Sequence, residues 1–254
     1  MRFKIILEYD GRPFRGWQKQ ENRIASVQQT VEEAITAFCG EQLTLVAAGR
    51  TDAGVHALGQ VCHVDFSKPT TAYTVRRALN YHLRDKAVKV LVAEEVSEDF
   101  NARFSAITRT YQYRVLNRIA PPVIDVGRVW HVHYNLNLDA MREAAKYLLG
   151  YHDFTTFRDS ECQAKHALRT LDVLDVTTEG NYVLFDVAAK SFLHHQVRNM
   201  VGTLVLVGRG KWTPQRVKDA LEAKDRRAGG TRAPAEGLYF TSVLYEKYPK
   251  NFQA

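Results

Sequence analysis

Phe3, Ile5, Leu7 and Tyr9 occupy every second position, with Arg2, Lys4 and Glu8 between them, and Asp10-Gly11 ends the run. That period belongs to a strand with one buried face. The period then changes. Ser26-Val27-Gln28-Gln29 is a capping box, and Val27, Val31, Ala34, Ile35 and Phe38 recur at helical spacing until Gly40 stops the helix. Leu43 to Ala47 is a short apolar run that reads as a buried strand, and Cys62, Val64 and Phe66 alternate with Val61, His63 and Asp65 in another. Val75, Leu79 and Leu83 set a second helix over Ala72 to Leu83, and Val88, Val90 and Val92 close the unit. The resulting order, strand, helix, strand, strand, helix, strand, is ferredoxin-like. One antiparallel sheet with its helices on one face follows from it.

The second half repeats the theme less regularly. Tyr111, Tyr113 and Val115 alternate with Gln112 and Arg114, and Val129 to His133 reads as a further strand. Leu138, Met141, Ala145, Leu148 and Leu149 form a helix ended by Gly150. Leu171 to Val176 and Tyr182 to Ala188 flank Thr178-Glu179-Gly180-Asn181 as a hairpin. Val197, Met200, Val201, Leu204 and Val207 stripe a helix, Thr213-Pro214 starts a shorter one, and Tyr239 to Tyr245 is the last strand. The expected organisation is α+β, in an N-terminal half over residues 1–104 and a C-terminal half over residues 105–254.

Composition narrows the function class. With 254 residues, 45% hydrophobic and 25% charged, the chain can bury a substantial core. Lysine and arginine exceed aspartate and glutamate by 35 − 28 = 7, which points to a polyanionic partner without naming it. Cys39, Cys62 and Cys162 are scattered and form no C-x-x-C pair, so neither a disulfide framework nor a zinc site is expected, and a reducing cytoplasmic setting fits. His131, His133, His152 and His166 lack a compact ligand spacing with carboxylates. No apolar run reaches the length of a membrane span, and the N-terminal alternation is unlike a signal peptide.

The chemistry-bearing stretch is Ala48 to Ala57, at the end of a predicted strand. Gly49 and Gly54 allow close backbone approach, while Arg50 and Asp52, two apart in an extended segment, project from one side. Arginine favours an ionised carboxylate, and such a carboxylate can attack an electron-poor carbon. The same Thr-Asp-Ala-Gly run is also ordinary turn chemistry, and spacing alone leaves both readings open. Upstream, Arg12, Arg15, Lys19 and Arg23 interleave with Phe14 and Trp17, a composition suited to phosphate contact and base stacking as well as to a solvated loop beside a core-edge tryptophan. Lys224 to Arg232 is a second basic loop with the same two readings, phosphate grip or linker.

Gly49 to Ala57, continuing to Gln60-Val61, resembles the catalytic signature of the tRNA pseudouridine synthase A family. Tyr9-Asp10-Gly11, Gly16-Trp17-Gln18, Ser26-Val27-Gln28, Phe100 to Ala106 with Arg109-Thr110-Tyr111, His152-Asp153-Phe154 with Phe157-Arg158, Phe192 to Asn199 and Ala235 to Leu238 resemble further family blocks in the same order. The resemblance implies two ferredoxin-like, RRM-like halves sharing a mostly antiparallel central sheet with a cleft between them. It implies isomerisation of uridine to pseudouridine at positions 38, 39 and 40 of the tRNA anticodon arm, without cofactor or metal. Asp52 takes the part of the initiating carboxylate, and Arg50 helps expel the target base. Tyr111 stacks on the uracil and assists proton removal, Arg198 anchors Asp52, and Leu238 forms the apolar wall. Arg12, Trp17 and Arg109 are the further candidate tRNA contacts. The family also implies a cytoplasmic homodimer, with tRNA as partner and no membrane attachment.

Two other classes compete. A non-catalytic RNA-binding module would account for the charge and the aromatics, but no stacking motif of an RNA-recognition domain stands out. A small-molecule glycosidase would need a second carboxyl partner, and none is obvious near Asp52 in the sequence.

Overall fold

The computed structural model describes residues 1–20 and 25–245. The chain divides into two compact units, Met1–Arg109 with the segment from Tyr239 onward, and Thr110–Leu238. Arg23 and the residues beyond Tyr245 lie outside the described part.

The first unit runs β1 (Arg2–Tyr9), α1 (Val27–Cys39), β2 (Val46–Ala47), β3 (His56–Asp65), α2 (Ala72–His82) and β4 (Val88–Val96). Its strands lie in the order β4-β1-β3, with β2 on the far side of β3, and these pairs are all antiparallel. This is the ferredoxin-like arrangement expected from the element order. Phe3, Ile5, Leu7 and Tyr9 are buried as their alternation requires. Lys4, on the other face, is buried too, because Glu94 stands directly opposite it on β4 and their charges meet at 2.5 Å. Ser26 caps α1 through the Gln29 amide, but the Gln29 side chain turns forward to Glu33, so only half of the capping box forms.

The expected strand over Leu43 to Ala47 is reduced to Val46–Ala47. The Leu45 amide explains the difference: it donates to the buried Glu32 carboxylate of α1 at 3.1 Å instead of to a strand. A two-residue β2 covers β3 only near Cys62 and His63, and the start of β3 has another neighbour. That neighbour is β10 (Leu238–Tyr245), which pairs with it in parallel, Tyr239 opposite His56 and Phe240 opposite Ala57. Sequence order placed this strand with the second half, whereas from Tyr239 onward it packs with the first unit. Gly59 allows the approach, since a Cβ there would stand 2.4 Å from the Thr241 carbonyl oxygen.

The second unit is built from β5 (Ala106–Asn117), which enters it at Thr110, then β6 (Trp130–Val132), α3 (Leu138–Lys146), β7 (Gly150–Asp153), β8 (Leu168–Glu179), β9 (Tyr182–Ala189), α4 (Gln196–Gly208) and α5 (Pro214–Ala223). The strand order is β5-β9-β8-β7, with β6 parallel to β5. With the short β6 set aside, the order strand, helix, strand, strand recurs, and β9 is added beside β8 as the expected hairpin. Helix α3 stops at Lys146 rather than at Gly150, because the Tyr147 and Leu148 amides turn to Ala144 and Ala145, tightening the last turn. Helix α4 is buried around nearly its whole circumference, its apolar stripe completed by Gly202 and Gly208. Among the described residues no helix is long and apolar enough to cross a membrane.

Gly59→Ala should force β10 off β3, costing about 1–3 kcal/mol, typical of overpacking at a backbone contact. A lowered urea midpoint with an unchanged m-value is the expected reading, and an unaltered midpoint would contradict this packing.

Candidate active site

Ala48 makes the last ladder bond of its strand, to the Val61 carbonyl at 2.8 Å, and the chain then leaves the sheet. From there the carbonyls of Ala48, Gly49, Thr51 and Asp52 each meet a donor. Arg109 donates to Ala48 through Nε and a terminal nitrogen at 3.1 and 2.9 Å, and Gln60 Nε2 donates to Gly49 at 2.9 Å. The Trp17 amide donates to Thr51 at 3.0 Å, and the Val55 amide closes a turn onto Asp52 at 3.2 Å. The Thr51 hydroxyl meets the Tyr9 hydroxyl at 2.8 Å in a buried contact. Gly16, at φ 87°, passes so close that a Cβ would stand 2.7 Å from the Thr51 carbonyl oxygen. No residue with a side chain fits there without strain. The segment carrying Asp52 is thus held at its backbone from three parts of the first unit. The Asp52 side chain is half-buried and Arg50 is exposed.

The exit of the loop is equally fixed. The Gly11 amide donates to His56 Nδ1 at 3.1 Å, and the buried His56 ring stacks on Tyr239 with centroids 4.8 Å apart. Asp10 lies 3.3 Å from His56 and is gripped by Arg12. Burial opposes its charge, but Arg12 and His56 outweigh it and hold the carboxyl down at about 2. Burial pushes the Tyr9 hydroxyl up to about 12, so it remains protonated beside Thr51 at neutral pH.

Three candidate tRNA contacts take structural positions here. Trp17 is 2% exposed and tilted against Tyr9 at 6.3 Å, the core-edge arrangement that its loop composition left open. Arg109 directs its guanidinium to the carbonyls of Ala48, Ala106 and Arg103. Arg12 is paired with Asp10 but keeps 44% of its side chain in solvent. Tyr9 and Gln60 hold the Asp52 loop, and the sequence reading missed them although both stand inside the resembling blocks. Their neighbours in sequence gave no sign that they would hold the loop.

In the second unit Tyr111 is buried edge-on against Phe192, with ring centroids 5.1 Å apart. Arg198 is the third residue of α4 and 9% exposed. Its Nε donates to the Ala233 carbonyl at 2.9 Å, and the Ala233 amide returns a bond to the Arg198 carbonyl at 3.1 Å. Tyr113, one turn of the pleat beyond Tyr111, donates to the Pro234 carbonyl at 2.8 Å. Burial raises its hydroxyl well above the ordinary range, with Arg198 pulling the other way. Leu238 is 5% exposed at the end of the same segment. The second basic loop is not a row of open cations: Arg226 bonds to Asn199 and Gly230, Arg227 to Asp225, and Arg232 to Asp159.

Asp52 thus stands on a backbone-clamped loop of the first unit, and within the second unit Arg198 and Tyr111 are each held by their own neighbours. A family model described as tRNA pseudouridine synthase matches residues 5–105 and 144–246. The chain belongs to the tRNA pseudouridine synthase family. It is 57% identical to the tRNA pseudouridine synthase A of Paramagnetospirillum magneticum over 244 residues, covering 96% of this chain and 95% of that protein. It is 54% identical to the protein of that name from Caulobacter vibrioides, over 96% of this chain and 98% of the other. The Rhodospirillum centenum protein of the same name is 55% identical, over 96% and 99%. Asp52, Arg198 and Leu238 fall inside the segments matched by the family model, and Tyr111 falls between them.

Asp10→Asn should destabilise the chain at neutral pH. Because the folded carboxyl titrates below its ordinary range, its contribution is complete above about pH 4 and fades as the pH falls toward 2. Denaturation series from pH 7 to 3 should show the gap to the intact chain narrowing with acid. A constant gap would contradict the grip of Arg12 and His56.

Proposed function

We propose that this chain isomerises uridine to pseudouridine in tRNA, acting at positions 38, 39 and 40 of the anticodon stem-loop. The observation that carries the reading is Asp52, a carboxylate held by its backbone on a loop with the family's signature, in a chain aligned almost end to end with relatives named for this reaction. The reaction breaks the bond from the ribose C1′ to N1 of uracil, turns the base and joins C1′ to C5; C5 gives up its proton to solvent and N1 takes one up. Atoms balance without an oxidant, a reductant or added water.

Asp52 is the initiating carboxylate. A rigid loop suits it, since a nucleophile gains most when its position is fixed before the substrate arrives. Arg50, exposed beside it, helps to expel the target base and takes its place in the stack. Arg198 serves as the cation that keeps Asp52 ionised. Tyr111 offers a ring to the uracil and a hydroxyl for proton removal at C5, and Leu238 supplies apolar wall. Arg12 is the surface contact for phosphate, whereas Trp17 and Arg109 support the Asp52 loop. The enzyme works in the cytoplasm as a homodimer, a setting in keeping with three free cysteines.

Release of tritium from tRNA labelled at uracil C5 tests the reaction. The intact chain should release it with no added cofactor, and Asp52→Asn should lose at least a thousandfold while binding tRNA within about twofold. Tight binding without release by the intact chain would favour a non-catalytic RNA-binding protein. Tyr111→Phe should retain binding and lose about tenfold or more in rate. Light scattering at micromolar concentration should give twice the chain mass, and a monomer would overturn the dimer.

A further inference from the structure

Helix α4 begins under two handicaps. Its N-cap, His195, sits at φ 61° and ψ 7°, a left-handed conformation that a residue with a Cβ adopts at a cost, and it makes no side-chain capping bond. Arg198, in the first turn, sets a positive charge near the positive end of the helix dipole. Something must compensate for both.

Asp159 does so from the segment after the short turn at Thr155–Phe157. Its Oδ2 lies 2.6 Å from His195 Nδ1 and 3.0 Å from the guanidinium of Arg232, and its amide donates to the His194 carbonyl at 3.0 Å. The carboxylate is 17% exposed. Burial works against its charge, yet the Glu161 amide, His195 and His194 hold it below the usual carboxylate range. One anion therefore fixes the residue three positions before Arg198 and also the residue next to Ala233, whose carbonyl accepts from Arg198 Nε. The first route ends on the turn of α4 that carries Arg198, and the second on the segment whose carbonyl its guanidinium meets.

We infer that Asp159, through His195 and Arg232, is the positioning residue that aims Arg198 for catalysis. This rests on the catalytic role proposed for Arg198. The clasp acts on the chemical step and leaves tRNA affinity alone: Arg232 keeps its partner within the protein, and Asp159 would repel phosphate. Arg232 is thereby assigned to alignment of the active site and removed from the phosphate-gripping surface that its loop composition suggested.

The test is a double-mutant cycle of Asp159→Asn and Arg198→Lys, read by the single-turnover rate of pseudouridine formation and by the Kd for tRNA. Asp159→Asn should lose tenfold or more in rate with Kd within twofold, and Asp159→Glu should recover part of the loss. In the Arg198→Lys background the further loss should be less than threefold, because the guanidinium being aimed is already gone. Full additivity of the two losses, or an unchanged rate in a folded Asp159→Asn protein, would overturn the inference. A second readout needs no activity. The Nε–Hε signal of Arg198 in protein labelled with ¹⁵N-arginine should be protected from exchange in the intact chain and lose that protection in Asp159→Asn. Unaltered protection would also overturn it. An intact chain that makes no pseudouridine would defeat the catalytic reading instead, and the signal would still judge the clasp.

Discussion

The backbone of residues 48–52 is the constraint on which the first unit turns. Its carbonyls are met by donors from the Trp17 amide, the Gln60 side chain and the Arg109 guanidinium, and the Tyr9 hydroxyl secures Thr51 from below. Each of these bonds is modest taken singly, of the order of 1 kcal/mol. Together they leave the loop no alternative backbone arrangement that satisfies its buried polar groups. Reactive carboxylates are commonly placed on loops, and loops are ordinarily mobile. Here the loop is bonded along its backbone while the side chain of Asp52 stays half in solvent, where a substrate can reach it.

Much of the architecture was legible because it depends on periodicity and caps. The alternation of β1, the Ser26 start of α1, the Thr213-Pro214 start of α5 and the hairpin at Gly180 all follow local rules, and all form. Local rules failed where a distant partner decided. The Leu45 amide bonded to Glu32, which cut β2 short, and β10, distant in sequence, paired with the start of β3 at His56 and Ala57. Neither partner can be found within a window of neighbouring residues.

The site shows the same division. Asp52 and Arg50 stood out because their residue types carry chemistry in any setting. Trp17 and Arg109 drew notice for their types too, yet the fold uses one for packing and the other for its hydrogen-bonding fork. An arginine's five donors serve backbone carbonyls as readily as phosphates, and only its neighbours in space distinguish the two uses. Asp159 drew no notice, since its partners lie 36 and 73 positions away in the chain.

The parallel pairing of β10 with β3 has a consequence for how the molecule comes into being. On the ribosome the residues of β1 to β4 emerge early and can collapse, but the edge of β3 near His56 stays open until the last strand has been made. Tyr239, against which His56 stacks, arrives some 180 positions after it, so the loop that leads into His56 takes this support only once β10 has been made. A nascent chain of this kind carries an unpaired strand edge until β10 is made, and transiently unpaired edges of this sort are aggregation-prone.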